Sequence, residues 1–261
     1  MTTPNLTDYD YIIINTSAGK DSQSMMEYVV KLADEAGVRD RLVAVHADLG
    51  RMEWEGTKEL AATQSAYYGL RFEVVSRPQG DLLTHIKERG MWPSSTTRYC
   101  TSDHKRDQVA KIITKLSRES SMSNIKILNC MGLRAEESPA RAKRADFSIN
   151  KRLSNKSRTV HEWLPIHAWK ETEVWASIKA SKVPYHRAYD LGMPRLSCIF
   201  CIFAPKSALV LAGTHNRELL EEYVGVEAEM GHKFRMDTSM AEVKEAVVAG
   251  THREKIASWS M

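Results

Sequence analysis

Six consecutive residues, Ser17-Ala18-Gly19-Lys20-Asp21-Ser22, hold the densest chemistry in this 261-residue chain. They follow a short apolar run, Tyr11 to Ile14, and precede a stretch of helical spacing. A strand therefore runs through a small-residue turn into a helix. Such a turn gathers backbone N–H groups at the positive end of a helix dipole, which makes an anion site suited to phosphate. Gly19 lets the main chain approach a ligand, Lys20 adds a mobile positive charge, and the hydroxyls of Ser17 and Ser22 can donate to phosphate oxygens. Asp21 can cap the helix, or help hold a magnesium ion bridging the phosphates. The run is not a Walker A loop, which needs a glycine where Ile14 stands. A helix N-cap without a ligand is the plain alternative.

The second set is the thiols. Cys198 and Cys201 form a Cys-x-x-Cys in RLSCIFCIFAP, and Cys100 lies in RYCTSDHK. Zinc, an iron–sulfur cluster and a redox dithiol all use that spacing. A zinc site would take a fourth ligand such as His104, and three reduced thiols without metal are a further reading. Ile199, Phe200, Ile202 and Phe203 would shield a cluster from water, or serve as ordinary core. Cys130 falls within an apolar strand and reads as a small buried hydrophobe. Arg134 stands just after that strand and Gly132, where it either faces a ligand or pairs with Glu136 or Glu137.

The elements that must position these residues alternate. After the first strand, helical spacing predicts a helix over residues 21–36 stopped by Gly37. Strands follow at 42–47, 71–75 and 125–131, with helices at 53–68 and 105–116 between them. This rhythm predicts an α/β fold, a doubly wound parallel sheet with ligands at the carboxyl ends of the strands. Ser17 to Ser22, Asp48, Gly132 and Arg134 all fall at such ends. Residues 141–158, rich in Arg, Lys, Ser and Asn, read as a mobile basic loop. Helices at 171–181 and 217–230 predict a mostly helical C-terminal section. The expected division is a nucleotide-binding core over 1–150 and a C-terminal section over 151–261.

Composition sets the bounds. Hydrophobic residues make up 43% and charged residues 27%, enough apolar material for a real core. The formal net charge of +4 suits a phosphate-rich ligand without arguing for nucleic acid. No apolar run approaches the roughly 20 residues of a membrane span. No secretory signal is visible in MTTPNLTDYDY, so four sparse cysteines point to a reducing, cytoplasmic setting.

The loop SAGKDS resembles the SGGKDS loop of the PP-loop adenine-nucleotide alpha hydrolases, which split ATP between the α and β phosphates. HADLG (46–50), RYCTSDHK (98–105), GLRAEESPARAK (132–143) and PIHAWKETEVW (165–175) are similar to segments of the phosphoadenosine-phosphosulfate reductase-like branch. The resemblance covers most of residues 10–205. It implies a HUP-like fold, with ATP and magnesium as ligands and Lys20, Asp21 and Arg134 as the catalytic groups. Ser17 to Ser22, Gly132 and Arg134 would bind the nucleotide, Asp48 would sit near the nucleoside, and Arg141 and Lys143 would lie on the substrate side. Cys100 stands where cluster-bearing members place a cysteine pair, Tyr99 replacing the first. The implied metal site is a [4Fe–4S] cluster on Cys100, Cys198 and Cys201, with zinc as the alternative. Three thiols would leave one iron open for sulfur or substrate.

The family's thioredoxin-dependent reductases use a cysteine in a Glu-Cys-Gly-Leu-His segment and usually lack the loop lysine. Here no cysteine follows Cys201, and Lys20 is present. Both departures favour ATP cleavage to AMP and pyrophosphate, activating an acceptor by adenylation for sulfur transfer. Relatives of that type include the ATPase subunit of DNA phosphorothioation systems, tRNA-thiolating enzymes and the small subunit of ATP sulfurylase. The alternatives are a sulfonucleotide reductase and a non-catalytic nucleotide-binding subunit. The acceptor is a nucleic acid or a small molecule. A sulfur-donor protein and a homodimer are further expected partners, and no membrane is.

Overall fold

Runs rich in β-branched residues become the strands of one sheet in the computed structural model, which describes residues 3–120, 122–250, 256 and 259. They are β1 (Tyr11–Thr16), β2 (Leu42–Ala47), β3 (Arg71–Val75), β4 (Ile125–Cys130), β5 (Phe147–Ile149) and β6 (Arg158–Trp163), in the order β3-β2-β1-β4-β6-β5. All pairings are parallel except β5 with β6. Ile12, Ile13 and Ile14 are buried in succession because a parallel strand is covered on both faces. Ile12 and Ile14 pack with Met25, Met26, Val29 and Trp163, while Ile13 packs with Val43, Ile112, Ile113 and Val160.

The helices are α1 (Lys20–Glu35), α2 (Thr57–Tyr67), α3 (Leu82–Arg89), α4 (Tyr99–Thr101), α5 (Asp107–Glu119), α6 (Pro139–Ala142), α7 (Glu171–Ser181), α8 (Lys206–His215), α9 (Arg217–Met230) and α10 (Met240–Val248). The expected stop of α1 at Gly37 is a Schellman motif. Gly37 takes φ 68°, its N–H donates to Asp34 O, and Val38 N–H donates to Ala33 O. The helix predicted from residue 53 begins only at Thr57, after Gly56 at φ 83°. The helix predicted from Lys105 begins at Asp107, because Ser102–Arg106 winds as a π-helical turn.

Two compact units emerge, and they interleave along the chain where the sequence suggested one cut near residue 150. The first is Met1–Ala47, Gly56–Val75 and Arg106–His186; the second is Asp48–Glu55, Ser76–Lys105 and Arg187–Met261. The whole sheet lies in the first unit. The second is helical, cored by Trp92, Phe200, Leu209, Tyr223 and Val243. Residues 151–186 join the first unit because β6 completes the sheet beside β4 and α7 packs on α1.

The basic segment 141–158 is a correction: it is folded structure, not a mobile loop. It holds the end of α6, the edge strand β5, and a turn in which Asn150 and Asn155 side chains accept backbone N–H groups. Leu153 is buried beneath it. Its Lys151 and Lys156 lie on the turn leading into the amino end of β6, at the end of the sheet opposite the carboxyl ends.

Candidate functional site

The chain leaves β1 toward β2 and β3 and then returns to β4 on the other side of β1, so the strand order reverses between β1 and β4. Ligands of open α/β sheets occupy the crevice outside the carboxyl ends at such a reversal. Asn15 ties those ends together, donating to Asn129 Oδ1 at 2.7 Å and Cys130 O at 2.8 Å. Ser17 to Ser22 leave β1 here, and Gly132 to Arg134 leave β4.

Within the loop, Ala18 takes the left-handed conformation at φ 56°, and Gly19 is extended at φ −79°. The buried Ser22 hydroxyl donates to Gly19 O at 2.9 Å and accepts from Ser17 N–H at 3.2 Å, which sets the turn. The Ser17 side chain is exposed, 3.3 Å from Ser22 Oγ. Gly19 caps α1 without a side-chain hydrogen bond. A Cβ on Gly132 would lie 3.0 Å from the backbone of Asp21 and Ser22, so any larger residue would push the β4 exit and the start of α1 apart by a few tenths of an ångström.

The charged groups converge. Lys20 is 2% exposed, with Nζ 3.3 Å from Glu171 Oε1 at the start of α7. Arg134 is 3% exposed; its Nε donates to Asp21 Oδ1 at 2.6 Å and its Nη1 to Glu136 Oε2 at 2.6 Å. Asp21 thus holds Arg134 rather than capping α1. Burial opposes the Arg134 charge, and Asp21, Glu136 and Glu137 more than offset it, so its pKa rises. Glu136 accepts the Glu171 N–H at 2.8 Å, and that bond, helped by Arg134, holds its carboxyl below the usual range. Of the substrate-side pair, Arg141 is bound to Glu137 and Lys143 is exposed. Asp48 belongs to the second unit, where its Oδ1 accepts Gly50 N–H at 2.7 Å. Sequence reasoning missed Glu171 and Asn15 as members of the site, and named Glu136 only as a partner for Arg134, which it is. Only the position of Glu171 inside the singled-out segment 165–175 hinted at it.

The second unit holds the three thiols. Cys100 at α4, and Cys198 and Cys201, line one cleft walled by Met52, Trp92, Phe200, Phe203 and Tyr223. Arg235 fixes the Cys-x-x-Cys segment by donating to Ile202 O at 3.1 Å and Ala204 O at 2.6 Å. Burial pushes the Cys198 thiol up to about 12, against the pull of Lys105. The Cys201 thiol is raised by burial too, although the Phe203 N–H and Lys105 oppose it. Lys105 feels all three thiols and Glu53. Desolvation works against its ammonium, but these neighbours prevail and its pKa rises. Among the described residues, the three sulfurs are not all gathered within 4.8 Å of one another. Two candidates lie elsewhere. His104 turns its Nε2 to His85 Nδ1 at 3.0 Å, and Cys130 is buried in β4 of the other unit.

The phosphoadenosine phosphosulfate reductase domain family matches residues 11–204. The chain belongs to this family. An uncharacterized protein of Methanocaldococcus jannaschii is 25% identical to this chain over 191 residues, or 73% of this chain and 36% of that one. This chain therefore spans little more than a third of that relative's length. The adenosine 5'-phosphosulfate reductase of Allochromatium vinosum is 26% identical over 201 residues, 74% of this chain and 69% of its own. The phosphoadenylyl-sulfate reductase of Candida auris, solved as a phosphate complex, aligns with a TM-score of 0.48 and 17% identity, over 76% of this chain and 82% of that one.

Proposed function

We propose that the chain binds ATP with magnesium at the carboxyl ends of β1 and β4 and cleaves it to AMP and pyrophosphate. In doing so it would activate an acceptor by adenylation ahead of sulfur transfer. The observation that supports this is the meeting of two buried cations, Lys20 and Arg134, with the amino end of α1 at the strand-order reversal. A departing pyrophosphate accumulates negative charge, and fixed cations beside a helix N-terminus stabilise that charge without reorganising. The carboxylate of Asp21 holds the Arg134 guanidinium in orientation and would share a magnesium ion with the phosphates. The acceptor is a nucleic acid or a small molecule, and Arg141 and Lys143 are the residues assigned to it.

The thiols fit an iron–sulfur group by the chemistry of the donor set: three soft ligands in an apolar cleft with the Lys105 cation beside them. Cys100, Cys198 and Cys201 would hold it, and it would supply a soft metal able to carry a sulfur atom.

The test is ATP turnover with product separation. AMP and pyrophosphate are expected, with magnesium required, and Lys20→Ala should lose about 1.5–3 kcal/mol of phosphate contact. Release of ADP and orthophosphate, or unchanged turnover in Lys20→Ala, would refute the reading. The Allochromatium vinosum relative favours a second reading, sulfonucleotide reduction. Sulfite release from adenosine 5'-phosphosulfate with a dithiol, without ATP cleavage, would establish it instead.

A further inference from the structure

The segment 165–175, singled out by sequence, has no task in the chemistry proposed above. Its helix, α7, opens on Glu171, whose carboxylate lies 3.3 Å from Lys20 Nζ. The two partners differ in environment: the Lys20 side chain is 2% exposed and that of Glu171 is 42% exposed. A buried ammonium is costly without an anion, whereas an exposed carboxylate is comfortable in water. The contact therefore serves Lys20 more than Glu171.

The second cation is held from the same place. Glu136 Oε2 accepts from Arg134 Nη1 at 2.6 Å and from the Glu171 N–H at 2.8 Å, and Trp169 O lies 3.4 Å from Arg134 Nη1. The start of α7 and the β4 exit thus set a carboxylate oxygen beside each cation. A triphosphate arriving at the amino end of α1 needs the same donors and carries the same sign of charge as Glu171. One anion must leave, and the exposed carboxylate can swing into solvent while the buried lysine stays.

We propose that Glu171 is a placeholder for phosphate: a positioning residue that holds Lys20 in place before nucleotide binds, and that nucleotide displaces. The proposal rests on the ATP reading above. It separates two quantities that a purely structural ion pair would move together. Without the carboxylate, the ligand-free protein is less stable, yet the nucleotide no longer has to displace a competitor.

The experiment compares wild type, Glu171→Gln and Glu171→Asp, full-length and with magnesium. It measures the Kd for α,β-methylene ATP, which cannot be split between those phosphates, and Tm with and without it. In Glu171→Gln, Tm without nucleotide should fall and binding should tighten about tenfold, as expected if the placeholder occupies Lys20 roughly nine-tenths of the time. Glu171→Asp, which restores the anion, should return both values toward wild type. Weaker binding in Glu171→Gln with a higher magnesium requirement would overturn the proposal in favour of a magnesium ligand. Unchanged Kd beside normal wild-type binding would overturn it alone. Absence of binding by wild type and variants alike would overturn the ATP reading, and the placeholder with it.

Discussion

Two small residues decide how closely the loop and the β4 exit approach each other. A methyl on Gly132 would meet main-chain atoms of Asp21 and Ser22 at 3.0 Å, and backbone cannot rotate away as a side chain can. Gly132→Ala should therefore cost roughly 1–3 kcal/mol, read as a lower urea midpoint, and should weaken nucleotide binding. An unchanged midpoint would mean that the contact relaxes freely. Ala18 is the opposite case, a non-glycine residue at φ 56° with its methyl fully buried. Replacing it with glycine relieves about 1–2 kcal/mol of left-handed strain. It also loses about 0.8 kcal/mol of methyl burial and about 0.4–1 kcal/mol to the freer unfolded chain. These terms nearly cancel, so Ala18→Gly should stay within about 1 kcal/mol of wild type. Ala18→Val, β-branched at positive φ, should be clearly destabilised in the same titration.

Among the elements, the Cys-x-x-Cys segment depends on what fixes it. Arg235 holds its carbonyls, Ile199 N–H donates to Met52 O at 2.8 Å, and α4 brings Cys100 to the same cleft. Anaerobic reconstitution should give brown protein with iron and sulfide. Serine at Cys100, Cys198 or Cys201 should lower the iron content, and Cys130→Ser should leave it nearly unchanged. Stoichiometric zinc without iron would rule the cluster out. Sequence singled out the three thiols as candidates, but it could not separate His104 from them. Cys100 and His104 stand four apart, the spacing of neighbours on one helix face. The π-helical turn at Ser102–Arg106 and the pairing with His85 direct the imidazole elsewhere.

For the molecule as a whole, that histidine pair predicts an acid-labile second unit. His104 is 1% exposed with Nδ1 lacking a partner, and burial, with His85 and Arg77, lowers its pKa to about 4. The unfolded chain takes up this proton near pH 6.5. Between those values the unfolded state binds more protons, so stability is full above about 6.5 and is lost as pH falls toward 4, by at most about 3 kcal/mol. Urea midpoints at pH 7 and 4.5 should show the loss, and His104→Gln should shrink it. An equal loss in the variant would assign the acid sensitivity to other groups. Among the described residues no helix is long and apolar enough to cross a membrane.

The sequence by itself determined the first strand, the loop, α1 with its Gly37 stop, and the strands at 42–47 and 71–75, because these rest on local signals: apolar periodicity, small residues and turn chemistry. Tertiary structure alone decided three things. It interleaved the two units, since which strand completes a sheet depends on long-range pairing that periodicity does not encode. It folded the basic segment 141–158 against β6, where sparse apolar residues such as Phe147 and Leu153 left no period to read. And it set Glu171 on Lys20, a meeting of residues 151 positions apart that follows from packing α7 on α1, because a motif at each end does not encode the pairing between them.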